Sequence, residues 1–203
     1  MSLMRMPGES SDRPDPMPGD DIVPDAIVVM DRERVLPAPA KDVWPWIVQL
    51  GKDRAGWYMP RWVDWVFIPR HRRSLRRIDD QWQTLAPGQH IPDWGPNDPT
   101  FEVVSIDAPN ALVYQSIRPR KPRGGVARPD LTLSWTLVLE DLPHGRSRLR
   151  IRLRTNQIGR RFPRAAELMA DTIDRLSVTL LFGGLRERVR QRGEWRTPQN
   201  RPA

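Results

Sequence analysis

Residues 44–51 read WPWIVQLG, and residues 56–65 read GWYMPRWVDW. These two segments hold five of the nine tryptophans in the chain. Each tryptophan brings a large apolar surface and one N–H group that needs an acceptor when it is buried. So dense a cluster predicts a core or the wall of a pocket. The segments indicate a ligand-binding architecture more clearly than they indicate any reaction.

The chain length of 203 residues predicts one domain, over 26–195, with a tail at each end. Residues 1–25 contain five prolines and carry a net charge of −4, against +12 for the rest of the chain. Such a segment holds too little apolar surface to offset the entropy that is lost on ordering. We therefore expect a disordered acidic tail over 1–25 and a frayed end over 196–203.

The composition excludes several classes of protein. With no cysteine, the chain has no disulfide, no thiol nucleophile and no thiolate metal ligand. No apolar run reaches the roughly 18 residues that a membrane span requires. The first residues also lack the apolar stretch of a secretory signal. These features predict a cytoplasmic protein without a membrane span, and they carry no signal for its oligomeric state.

Period-two patterns predict two β-hairpins. Leucine or tryptophan occupies every second position of 131–139, and arginine occupies every second position of 146–154, with turn residues between the two segments. Segments 101–106 and 111–117 predict a second hairpin of the same kind. A first strand is expected over 26–36.

Prolines predict two short helices after this first strand. Pro39 suits the first turn of a helix, where its missing N–H costs nothing. Pro45 argues against one long straight helix, because an interior proline clashes with the preceding turn. We therefore expect helices over about 39–50 and 60–68.

The last third of the chain predicts a long helix that begins near Pro163. Its apolar residues recur at alternating spacings of four and three, which places them on one stripe. The stripe comprises Phe162, Ala166, Met169, Ile173, Leu176 and Leu180. Gly183 and Gly184 interrupt the pattern and predict a kink or a close approach to another backbone. This order of strands and helices is typical of an α+β fold.

The element order and the tryptophan motifs resemble the helix-grip fold of the START-like (SRPBCC) superfamily, over about 26–192. The most specific residues are APAKDVWPWIVQLG at 38–51 and GWY at 56–58, supported by WQTLAPG at 82–88. They are most similar to an uncharacterised bacterial branch of the polyketide cyclase/dehydrase-like group. The resemblance implies a curved antiparallel sheet wrapped around the long C-terminal helix, with an apolar cavity between them. It implies no particular reaction, since the superfamily includes carriers and enzymes alike.

Five residues are candidates for ligand binding because they combine apolar walls with a few polar tips. They are Trp46, Gln49, Trp57, Tyr58 and Trp135. An amide among aromatic rings, such as that of Gln49, needs a hydrogen-bond partner or a ligand. The other tryptophans of the cluster, Trp44, Trp62 and Trp65, are predicted to be core beneath the short helices.

The sequence offers few groups for catalysis. Of its three histidines, His90 stands close to a carboxylate, and His90 with Asp93 forms a weak candidate acid–base pair. No third residue stands at a spacing that would complete a metal site. The sequence contains neither a serine-nucleophile elbow nor a phosphate-binding glycine loop, so no metal and no cofactor is predicted.

Three functions are compatible with these features. The leading hypothesis is binding of a small apolar or aromatic ligand in an internal cavity. The first alternative is a cyclase- or dehydratase-type enzyme that transfers protons through Tyr58, Gln49, His90 and Asp93. The second is an interaction protein that binds an acidic partner through its arginine-rich surface. The arginines at 146–154 are otherwise explained as the solvent face of a one-sided sheet, and no aromatic residues interleave with them, which disfavours nucleic acid.

Overall fold

The computed structural model describes residues 15–93, 98–119, 130–156 and 163–196, and it describes the side chains of the last helix over 175–191. The strands are β1 (Val28–Leu36), β2 (His90–Pro92), β3 (Thr100–Asp107), β4 (Ala111–Arg118), β5 (Leu131–Leu142) and β6 (Arg146–Thr155). The α-helices are α1 (Ala40–Gln49), α2 (Arg61–Phe67) and α3 (Pro163–Arg196).

The six strands form one curved antiparallel sheet in the order β1-β6-β5-β4-β3-β2. Both predicted hairpins are present as β3–β4 and β5–β6, and the first strand pairs with the last. Helix α3 packs against β1 and α1. The predicted α+β helix-grip architecture is therefore confirmed, including the two short helices after the first strand. Helix α1 runs through Pro45 without ending there.

The core lies between the inner face of the sheet and helices α1 and α3. The alternating leucines of β5 point into it, and Leu137 and Leu139 are almost fully buried. Leu149 and Ile151 of β6 face the same way. Val43 and Ile47 of α1 cover them from the other side. Alternate residues of the two strands therefore pack against the buried side of α1.

The buried face of α3 differs from the predicted apolar stripe. Leu176 is 60% exposed and Leu180 is half-buried. The residues that face the core are Val178, Leu181, Phe182, Leu185, Arg188 and Val189. The side chains at 162, 166, 169 and 173 lie outside the described residues. The predicted stripe passed through Leu176 and Leu180, whereas the buried face passes through Val178, Leu181 and Leu185, on a different side of the helix.

Gly184 is where α3 comes closest to the chain that precedes α2. A Cβ atom added at Gly184 would lie 2.7 Å from the backbone nitrogen of Met59 and 2.7 Å from the carbonyl carbon of Tyr58. Of the two predicted consequences of the paired glycines, the close approach is confirmed. At Gly183 an added Cβ would meet the side chain of Pro60, with the Cγ atom at 3.0 Å and the Cδ atom at 3.8 Å.

The outer face of the sheet is covered in part by residues 15–25. Met17 and Val23 are buried, and the Thr136 hydroxyl donates to the Pro18 carbonyl at 2.9 Å. Gly19 lies over Val113, since an added Cβ would be 2.5 Å from that side chain. The expected disordered tail over 1–25 is therefore wrong for residues 15–25. Residues 1–14 and 197–203 lie outside the described residues.

Arginine side chains hold this N-terminal segment in place. Arg152, 1% exposed, donates to Asp20 Oδ2 at 2.7 Å and through its Nε to Asp31 Oδ2 at 3.1 Å. Arg154 donates to the Val23 carbonyl at 2.9 Å. The prediction that the arginine stripe faces solvent is thus wrong for these two residues. The sequence pattern gives the face on which a side chain lies, but not what covers that face.

The tryptophans that were predicted to be core divide in two. Trp44 is half-buried and packs against the core. Trp62 and Trp65 of α2 are 63% and 61% exposed, so the prediction is wrong for both. In the part of the chain that the structure describes, no helix has the length and apolar character needed to cross a bilayer.

We predict that the two adjacent glycines of α3 respond in opposite ways to alanine. Gly184→Ala should lower the free energy of unfolding by about 1–3 kcal/mol, because the added methyl group meets backbone that cannot move aside. Gly183→Ala should be near neutral, because the gain of up to about 1 kcal/mol in helix propensity offsets the contact with Pro60. Urea denaturation of both variants measures the difference. Equal losses would show that α3 does not approach Met59 closely.

We also predict that Asp20 stabilises the fold and that its neighbour Asp21 does not. Asp20→Asn should cost about 2 kcal/mol, since it weakens a charge-assisted hydrogen bond to a buried guanidinium. Asp21 is exposed, so Asp21→Asn should change stability by about 0.5 kcal/mol or less. Thermal and urea unfolding of the two variants provide the test. If both variants have the same melting temperature as the unmodified chain, the contacts of residues 15–25 do not stabilise the sheet.

Candidate functional site

A cavity of about 280 Å³ lies between the inner face of the sheet and α3. Strands β5 and β6 line one side of it, and Ser177 and Val178 of α3 line the opposite side. Its apolar wall includes Trp57, Leu133, Trp135, Ile151, Leu153 and Val178.

Stacked aromatic rings form one side of the cavity. Trp135 of β5 stacks on Tyr114 with ring centroids 5.4 Å apart and on Trp57 at 6.0 Å. Phe101 of β3 is tilted against Trp135 at 5.8 Å. The indole N–H of Trp57 donates to the Ser177 carbonyl at 3.3 Å, which fixes this ring against α3. These contacts hold the aromatic rings in place without a ligand.

Charged side chains lie at the end of the cavity formed by β2 and β4. Arg118 is ion-paired with Asp93, and both residues line the cavity. The Arg118 guanidinium also lies 5.7 Å from the ring centre of Phe101, and its Nε donates to the Ser116 hydroxyl. Arg32 of β1 lines the cavity as well and donates to the Asp31 carbonyl. The cavity is thus apolar with polar groups at defined positions, which is typical of small-molecule sites.

The structure brings two of the five predicted ligand-binding residues to this cavity. Trp57 and Trp135 line it, as just described. Trp46, Gln49 and Tyr58 do not line it and are at most 2% exposed. Trp46 and Tyr58 pack edge to face at 5.9 Å, and the Tyr58 hydroxyl donates to the Trp46 carbonyl at 2.9 Å. These three residues belong to the core around α1.

Gln49 has protein partners in place of a ligand. Its Nε2 donates to the Arg77 carbonyl at 3.1 Å, and its Oε1 accepts from the Asp79 backbone N–H at 3.1 Å. The Gln83 side chain donates to the same oxygen at 3.2 Å. The amide therefore ties the end of α1 to the loop over 77–83. Its burial among aromatic rings is explained by this tie.

The predicted acid–base pair is not assembled at the cavity. Asp93 lines the cavity, where its carboxylate is ion-paired with Arg118. His90 lies exposed on β2, paired in register with Glu102 of β3, and does not line the cavity. Within the described ranges, no group of three histidine, aspartate or glutamate side chains stands close enough to hold a metal ion.

Sequence reasoning missed the buried guanidinium of Arg188. It donates to the Leu75 carbonyl at 2.9 Å, to the Gly184 carbonyl at 2.9 Å and to the Ser74 hydroxyl at 2.7 Å. It also lies 4.3 Å from the ring centre of Tyr58. Burial, and next the charge of Arg76, lower its pKa to about 10, so it remains charged at neutral pH. A usable signal was its spacing, since it follows Leu181 and Leu185 on one helical face.

Comparisons with known proteins yield structural likenesses only. No family model matches the sequence, and no curated protein matches it. Protein MLL2253 from Mesorhizobium loti is similar at 14% identity, with 81% of this chain and 98% of that chain covered and a TM-score of 0.49. A Staphylococcus aureus protein of unknown function, SA2116, is 12% identical over 82% and 96% of the two chains, with a TM-score of 0.48. CalU16 from Micromonospora echinospora is 13% identical over 82% and 84%, with a TM-score of 0.43. Conclusions about function therefore depend on this chain's own residues.

We predict that neither tyrosine ionises while the chain is folded. Tyr58 and Tyr114 are the only tyrosines of the chain, and burial raises the pKa of both above the ordinary value. The folded state keeps both rings neutral to a higher pH than the unfolded state does. The contribution of the tyrosines to the free energy of unfolding is therefore complete below about pH 10 and is lost as the pH rises further. An alkaline titration followed by tyrosinate absorbance should show no ionisation at about pH 10, where the chain in denaturant is half ionised. Tyrosinate absorbance from the folded chain at about pH 10 would mean that one of the two rings is exposed.

Proposed function

We propose that the cavity binds a small, largely apolar molecule that carries an aromatic or aliphatic body and one polar group. The observation that supports this most directly is a cavity of about 280 Å³ walled mainly by aromatic and aliphatic side chains. An apolar cavity of about 150 Å³ is sufficient to hold benzene. The present volume matches a two-ring aromatic molecule or a medium-length acyl chain.

The stacked rings favour a flat ligand. Trp57 and Trp135 present apolar surface from opposite parts of the chain, and each is held by a contact that does not involve the ligand. A site whose walls are already ordered loses little entropy on binding. A ligand ring that packs against the Trp57–Trp135 pair gains the energy typical of aromatic contacts.

The Arg118–Asp93 pair favours a polar group at one end of the ligand. The guanidinium offers donors and the carboxylate offers an acceptor, so a hydroxyl or a carbonyl can be satisfied there. Polar groups at one end of an apolar site fix the orientation of a ligand and penalise analogues that lack the group. A gap left by imperfect core packing would be lined by apolar side chains alone, whereas this cavity contains a charged pair.

The two alternative functions have weaker support. For a proton-transferring enzyme, three of the four proposed groups, Tyr58, Gln49 and His90, lie off the cavity wall. For an acidic partner, Arg150, Arg152 and Arg154 already engage Asp31, Asp20 and the Val23 carbonyl of the same chain. The arginine stripe is therefore largely occupied from within the molecule.

We predict that naphthol and decanoate bind to the cavity with a negative heat-capacity change, because apolar surface leaves water. Leu153→Trp should weaken this binding by about tenfold or more, since the indole occupies the space in which the ligand sits. Leu142→Trp is the matched control, because Leu142 is half-buried on the same hairpin and does not line the cavity. Isothermal titration calorimetry at several temperatures measures both effects.

Two outcomes would contradict the proposal. The first is a flat titration for both probes with the unmodified chain. The second is equal weakening by Leu153→Trp and Leu142→Trp. Chemical turnover of an aromatic polyketide-like compound by the unmodified chain would instead favour the enzyme.

A further inference from the structure

Helix α2 exposes an unusual amount of apolar surface. Four of its seven residues, Trp62, Trp65, Val66 and Phe67, are each more than 60% exposed. We call these four residues the aromatic patch. Single exposed apolar residues are common on protein surfaces, but a contiguous group of this size marks an interaction site.

The rest of the protein holds this patch outward. Asp64, on the opposite side of α2, is buried and accepts hydrogen bonds from the Ser74 hydroxyl and from Arg76. The backbone N–H of Arg61 donates to the Glu187 carboxylate of α3 at 2.8 Å. Arg73 donates to the carbonyls of Asp64 and Ile68, which close the end of the helix. Rotating α2 to bury its aromatic rings would break all of these bonds.

The surface around the patch is positively charged. Arg61 begins the helix, and Arg70, His71 and Arg72 follow it directly, all of them exposed. Asp64, the one acidic residue within 61–73, is buried. The nearby Glu187 carboxylate is bound by the Arg61 backbone and by the Arg76 side chain. Exposed aromatic rings thus stand beside Arg61, Arg70 and Arg72, which form no ion pair with any residue that the structure describes.

We propose that the aromatic patch and its arginines dock the protein on the surface of a membrane that contains anionic lipids. Tryptophan and phenylalanine bury their rings at the level of the lipid headgroups, and arginine binds lipid phosphate. The positive rim fits an anionic surface and disfavours a second copy of the chain, because two such patches face to face would bring like charges together. The occupant proposed here is independent of the ligand in the cavity.

The ring geometry favours a lipid surface over single-stranded nucleic acid. Bases stack on open ring faces. The Arg73 guanidinium lies 5.3 Å from the ring centre of Trp65 and occupies one of its faces. Trp62 and Phe67 pack edge to face at 6.4 Å, so they present a joint apolar surface and not separate stacking platforms. Val66 adds an aliphatic side chain, which has no role in stacking.

The test is co-sedimentation of the full chain with vesicles of phosphatidylcholine containing one third phosphatidylglycerol. We expect the unmodified chain to bind these vesicles and to bind phosphatidylcholine alone much more weakly. The double variant Trp62→Ser, Trp65→Ser should lose about tenfold or more of the affinity. Val35→Ser, an exposed apolar residue of β1 outside the patch, is the matched control and should bind normally.

Charge is tested by a second matched pair. Arg72→Gln should weaken binding about fivefold, the effect of one arginine near an anionic surface. Arg146→Gln, which removes an exposed arginine at the start of β6, should leave binding unchanged. Quenching of tryptophan emission by brominated lipids reports insertion in the unmodified chain and does not depend on how any variant folds.

Several results would overturn the proposal. One is the absence of sedimentation with anionic vesicles, and another is binding by the double tryptophan variant that equals that of the unmodified chain. If the unmodified chain does not bind vesicles but binds oligothymidylate through Trp62 and Trp65, the patch is a nucleic-acid binding site. If it does not bind vesicles and analytical ultracentrifugation shows that it dimerises through the same residues, the patch is a homodimer interface.

Discussion

The buried guanidinium of Arg188 connects the long helix to the chain between Met59 and Leu75. A charge in an apolar interior is tolerated only when its hydrogen bonds are satisfied, so the carbonyls and the hydroxyl around Arg188 have to stay where they are. Gly184, one turn earlier, allows the two backbones to approach. The direction of α3, the position of Trp57 and the outward orientation of α2 all follow from this junction.

From this junction the molecule presents two different aromatic surfaces within a short length of chain. Trp57, just before it, turns inward and completes the cavity wall with Trp135. Trp62 and Trp65, just after it, turn outward because the other side of α2 carries the buried Asp64. The same residue type thus serves an internal site and an external surface. Neighbouring parts of the segment 57–67 would therefore contact the proposed ligand and the proposed membrane surface.

The opposite face of the sheet depends on compensation of charge. Arg150, Arg152 and Arg154 form a stripe that would repel itself if it were left alone, and Asp31 and Asp20 neutralise it at close range. The N-terminal segment is therefore part of the folded domain from residue 15 onward. Its buried Met17 and Val23 contribute apolar surface, which explains how so proline-rich a segment becomes ordered.

Local sequence alone determined five of the six described strands, the helices and their order, but it did not predict the short strand β2. Period-two leucines, the prolines at 39 and 45 and the turn residues at 141–145 act over a few residues, so they predicted the hairpins and the short helices close to their observed positions. The residue types themselves, large aromatic side chains with polar tips, made Trp57 and Trp135 candidates for the cavity. Only the tertiary structure decided which tryptophans are buried, what satisfies Gln49 and what neutralises Arg152. Burial and pairing depend on partners 28 to 132 residues away, and a local pattern contains no information about such distant partners.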